Sequence, residues 1–174
     1  MSVVINGSAG VTTNSGAVYN GIAQGTVVAS TSGTSIDFTS IPSWVKRITV
    51  VFQSVSLSST SNYLVQIGSG SVTSSGYTSS YAAVSSAGIV NAAASSTGFL
   101  IRSANATVSL FGTLVLTNIS GNIWVASGVT GTDFPVAQWT AGQLTLGGAL
   151  DRVRITTVSG TDTFDAGSIN ILYE

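Results

Sequence analysis

Apolar residues recur at every second position in short runs, and clusters of Gly, Ser and Asn part those runs at intervals of about ten residues. This alternation limits the fold more than any other property, because a period of two suits a strand with one buried face. Tyr63, Val65 and Ile67 alternate cleanly, as do Phe99 with Ile101, Val108 with Leu110, and Leu114 with Leu116. Ile36 with Phe38, Ile123 with Val125, Leu144 with Leu146, Val153 with Ile155, and Ile169 with Ile171 and Tyr173 extend the set. Helix is disfavoured: there is one Glu, one Lys and one Met, and no window repeats apolar residues at i, i+3, i+4 and i+7. Roughly ten or more short strands fit two antiparallel sheets packed face to face better than an open sheet. The expected fold class is therefore all-β, an antiparallel β-sandwich of jelly-roll character.

The longest strand candidate runs from Arg47 to Leu57. Its Ile48, Val50 and Phe52 share one face while Val55 and Leu57 fall on the other, so a bulge near Gln53 or Ser54 is expected to restore the inward set. The Gly- and Ser-rich stretch from Gly68 to Ser96 carries the weakest pattern and reads as long loops or thin edge strands. Glycines also interrupt residues 1–25, which read as an N-terminal arm or linker able to serve as an attachment segment. The sandwich domain is placed at 26–174.

Charge is nearly missing. The 174 residues include five Lys or Arg, six Asp or Glu, no His and no Cys. That removes Ser-His-Asp and Cys-His nucleophiles, His or Cys metal sites, and disulfides. No catalytic residue, metal or cofactor is expected, and the chain does not read as an enzyme. A net charge of −1 with scattered bases gives no footprint for nucleic acid or for an anionic membrane surface. No run approaches the ~18 apolar residues of a membrane span. Met1 to Asn14 lacks the basic and apolar regions of an export signal, so synthesis in the cytoplasm without export is expected. In place of charge the chain has 29 Ser, 22 Thr and 20 Gly. Sandwich edges usually carry Lys, Pro or inward charges. Here one Lys and two Pro are available, which points to a symmetric homo-oligomer whose copies shield one another.

Asp162 and Asp165 form the tightest acidic pair, and Asp in a Gly-flanked loop reads as a turn former ahead of a catalytic or calcium-binding group. Arg152 and Arg154 share the polar face of a strand, with Asp151 expected to point the other way. Lys46 and Arg47 are expected to pair with Asp37 or Asp151, for little energy if exposed. The aromatic residues offer more, since a sugar ring stacks on a flat apolar side chain while hydroxyls and amides take up its polar groups. Trp124, Trp139, Tyr77 and Tyr81 are the candidate glycan contacts, set against core or subunit-interface packing for each.

Two long segments carry a resemblance: Thr34-Ser-Ile-Asp-Phe-Thr-Ser-Ile-Pro-Ser-Trp-Val-Lys-Arg-Ile-Thr-Val50, and Leu150-Asp-Arg-Val-Arg-Ile-Thr-Thr-Val-Ser-Gly-Thr-Asp-Thr-Phe-Asp-Ala-Gly-Ser-Ile-Asn-Ile-Leu-Tyr-Glu174. With Ser61-Asn-Tyr-Leu-Val-Gln-Ile-Gly68 and Gly121-Asn-Ile-Trp-Val-Ala-Ser-Gly128 between them, the chain resembles the C-terminal domain of bacteriophage tail fibres and related virion proteins over about residues 25–174. The resemblance implies a virion-located β-sandwich subunit, usually a homotrimer, attached to other virion proteins and exposed where it meets a host surface glycan or protein. It transfers no catalytic residues. The short N-terminal segment also suits a capsid decoration or head fibre, and a polysaccharide depolymerase is the enzymatic alternative.

Overall fold

A computed structural model describes residues 21–88, 90–103 and 105–174, with the backbone alone at 4–6, 10–12 and 18–19. In chain order the first strands are β1 (Val4–Asn6), β2 (Gly10–Thr12), β3 (Val18–Tyr19), β4 (Ala23–Gln24), β5 (Val28–Ala29) and β6 (Ile36–Thr39). The central ones are β7 (Arg47–Leu57), β8 (Tyr63–Ser69), β9 (Ser71–Val72), β10 (Thr78–Ser85), β11 (Val90–Ser95) and β12 (Phe99–Ile101). The chain closes with β13 (Leu110–Ser120), β14 (Ile123–Thr132), β15 (Val136–Thr145), β16 (Arg152–Thr157) and β17 (Phe164–Tyr173). Every pairing among the described residues is antiparallel, and none of those residues is helical.

β1, β2 and β3 form a small sheet of their own. The body is a sandwich of unequal layers. The nine-stranded layer has the order β11-β10-β15-β14-β13-β7-β17-β4, with β5 also on β17. The five-stranded layer has the order β12-β8-β16-β6, with β9 on β8. Strands β6, β8, β12 and β16 alternate in sequence with strands of the larger layer, so the chain passes back and forth between the layers as in a jelly roll. Pairing of β4 to Leu172 and Tyr173 starts the sheet at Ala23, inside the stretch expected to be an arm.

The alternating residues meet between the layers. Val65, Ile67, Phe99, Ile101, Leu114, Leu116, Val153 and Ile155 are all buried in one core. The expected bulge in β7 is present. Val55 faces Leu110 and Phe52 faces Gly112, so Gln53 and Ser54 stand against the single residue Phe111, and Ser54 at the bulge has φ of 52°. One extra residue flips the phase of the strand, so Ile48, Val50 and Phe52 join Val55 and Leu57 inside.

On β14 the expected phase is reversed. Trp124 and Ala126 point into the core, while Ile123 is exposed on the opposite side. The stretch from Gly68 to Ser96 is more regular than its pattern promised, since β10 and β11 make a six-pair ladder without a register shift.

A second, smaller core explains how the larger layer curls over the edge of the smaller one. Leu64 and Leu100 turn away from the main core and pack with Tyr81, Ala83 and Val136. Buried polar side chains close the β12 edge here. Ser79 Oγ accepts from Leu100 N–H at 2.9 Å, Thr140 Oγ1 donates to Leu100 O at 2.8 Å, and the Gln138 amide both accepts from Arg102 N–H and donates to Arg102 O. Each backbone group that would face water on a bare edge is thus paired within the chain.

Candidate functional site

The charged groups are few, and all six acidic ones are engaged. Asp37 takes the Arg154 guanidinium in a two-bond fork at 2.7 and 3.0 Å across the β6–β16 pair. Asp151 holds Arg152 at 2.7 Å and also accepts from Gly70 N–H, and Glu174 pairs with Arg47. The hydrogen bond from Arg152 keeps the Asp151 carboxyl below its usual range. These pairings correct the sequence expectation: Asp37 and Asp151 go to Arg154 and Arg152, and Asp151 does not turn away from its neighbour. Register decides this, because Arg154 lies directly opposite Asp37 on the β6–β16 pair, where its fork meets both carboxylate oxygens.

Asp162 accepts from Ser61 N–H and Ser159 Oγ, Asp165 from Ser56 Oγ, and Asp133 from the N–H groups of Ser109 and Phe134. Asp162 therefore braces its loop, as the turn-former reading had it, whereas Asp165 departs from that reading: it lies on β17 and bonds across to Ser56 on β7. Among the described residues no group of three or more His, Cys, Asp or Glu side chains is arranged to hold a metal ion. No helix among them is long and apolar enough to cross a membrane.

The four aromatic candidates separate by burial. Trp124 is 3% exposed and belongs to the main core, so the sequence reading of it as a glycan contact is corrected. Tyr77 is corrected likewise. Its ring stands edge-on to Phe99 with centroids 5.0 Å apart, and its hydroxyl accepts from Ile67 N–H and bonds to the carbonyls of Ile67 and Thr73. Burial pushes the Tyr77 hydroxyl up to about 12. Tyr81 points inward to the smaller core, with its hydroxyl bonded to Asn91 Oδ1 at 2.7 Å.

Trp139 is different: it is 50% exposed on the outer face of the nine-stranded layer. Register puts Ala82 and then Ala92 beside it on one flank, and Val129 on the other. Because alanines stop at Cβ, the indole stands clear of a trough of about 540 Å³ floored by β10, β11 and β15. One row further along, Ser80, Ala141 and Ser127 lie side by side, and Ser80 and Ser127 are exposed. The arrangement combines one flat apolar surface, a small-residue floor and hydroxyls in the adjacent row of the same face. Strands β10, β11 and β15 carry no charged residue at all. Val84, Val90, Phe111 and Val129 extend the exposed apolar surface across the same face.

The alanine floor was not singled out from sequence, although the run Ala92-Ala-Ala94 was the available signal. No family model, no curated protein and no solved structure matches this chain.

Proposed function

We propose that the chain is a non-enzymatic structural subunit of a phage particle, of the tail-fibre type, that assembles with copies of itself and contacts a host-surface glycan through the trough at Trp139. The observation that carries this reading is the half-exposed indole of Trp139 on a charge-free floor of alanines, with Ser80 and Ser127 in the adjacent row. Sugar rings present an apolar face and a rim of hydroxyls, and this surface offers a partner for each without ionic groups that a neutral sugar would leave unpaired. The resemblance to the tail-fibre C-terminal domain supplies the virion setting. A sandwich in which all six acidic side chains are taken up by arginines, hydroxyls or backbone N–H groups of the same chain fits a binding role better than acid-base chemistry.

The test is a glycan array and a cell-binding assay with the isolated protein, its Trp139→Ala variant and a Ser80→Ala/Ser127→Ala double variant. Trp139→Ala is expected to lose binding by about tenfold, or about 1.4 kcal/mol, while its thermal midpoint stays put. Unchanged binding in Trp139→Ala would sink the glycan reading.

A further inference from the structure

We infer that strand β11 is the seam along which two copies of this chain join, edge to edge and antiparallel about a two-fold axis, so that their Trp139 troughs form one continuous double site. Among the described residues the free edges are very unequal. β12 spans three residues and is closed by Ser79, Gln138 and Thr140. β6 spans four and carries Asp37 in its ion pair with Arg154, while β4, β5 and β9 span two each. β11 alone offers six residues, without Pro, charge, positive φ or bulge. Those are the devices by which sheets usually refuse a further strand, and this edge has none of them.

The occupant follows from the strand's own chemistry. Antiparallel pairing lets a strand meet an identical copy of itself, each residue i facing j and each j facing i. The residues at the centre, Ala92, Ala93 and Ala94, are short on both faces of the sheet, so two copies meet without a steric obstacle. Neither β11 nor the adjoining β10 and β15 carries a charge, so two identical edges meet without repulsion, and a charged partner would find no complement. A register centred on Ala92 or Ala93 keeps the outward row Val90, Ala92 and Ala94 on the trough side in both copies. The joined layer then carries two Trp139 side chains five strand spacings apart, about 24 Å. This double site rests on the glycan reading; the seam itself does not. Two linked weak sites would give a polymeric sugar more avidity than either alone.

The absence of cysteine makes the test clean. Ala92→Cys and Ala93→Cys are oxidised separately beside Thr161→Cys, an exposed loop position remote from β11 in the sheet order. The paired residue on the axis lies within disulfide range, so one of the two β11 variants is expected to form covalent dimer at least tenfold faster than Thr161→Cys. Equal rates at all three positions would overturn the seam. Light scattering gives a second measure: wild type is expected at about 35 kDa, twice the 17.5 kDa chain, and Ala92→Lys at the mass of one chain. A wild-type species of one chain, whether because the edge is bare or because the N-terminal residues of the same chain cover it, would also overturn it. A three-copy species in which neither β11 cysteine cross-links preferentially counts against it equally. Failure of the glycan reading is separately visible, since Trp139→Ala then binds as wild type while the β11 cysteines still cross-link.

Discussion

Gly167 shows how much one missing side chain can decide. Its φ is +88°, and a Cβ there would press on the carbonyl oxygens of Gln53 and Ser54, the two residues at the β7 bulge. Gly167→Ala is therefore expected to lower stability by about 1–3 kcal/mol, read as a fall in the urea midpoint. An unaltered midpoint would mean that the bulge can slide to make room. The tryptophans teach the opposite lesson about legibility. Trp124 and Trp139 sit on adjacent strands of the same layer, yet one is core and the other surface. Alternation around Trp124 misleads because Ile123 and Val125 look like the inward phase. The outer face of this layer is itself apolar, so hydrophobicity marks both phases of β14 and cannot choose between them.

At the scale of elements, the unusual feature is that side chains finish an edge that a neighbouring strand would normally cover. Gln138 is 1% exposed and pairs both backbone groups of Arg102. Gln138→Leu keeps the volume but strands those groups, so a loss of about 1–3 kcal/mol is expected, with faster amide exchange at Arg102. Stability and exchange equal to wild type would show that water replaces the amide at no cost. Sequence alone placed none of this, because Ser79, Gln138 and Thr140 look like the solvated phase of a strand. They are buried only because the β10–β15 end of the larger layer bends over β12. The bulge in β7, by contrast, was legible, since five large apolar residues on one strand can share a face only if one residue is looped out.

Over the whole molecule, the scarcity of titratable groups sets the response to pH. No His is present to change charge between pH 5 and 8, so the melting midpoint is expected to be flat across that range. Above it the buried tyrosines matter. Burial raises Tyr77 from 10.0 to about 12 and lifts Tyr63 well above its ordinary value, with the Asp165 charge adding to the second. A raised folded-state value means that the stability is fully present below pH 10 and is lost as pH climbs through the folded value. Thermal melts at pH 9, 10 and 11 should fall progressively, and a flat series would contradict the burial of both hydroxyls. At the acid end Asp151, held low by Arg152, gives stability above its ordinary value of 3.8 that fades as pH drops through the lowered one. The sequence by itself determined the sandwich, its strand rhythm and its scarcity of charge, because a period of two and a composition are local properties. Only the tertiary structure decided which phase of each strand is core and, among the described residues, which edges are closed and which is left open. Those are set by how the layers curl over one another, and strands far apart in the chain make that choice together.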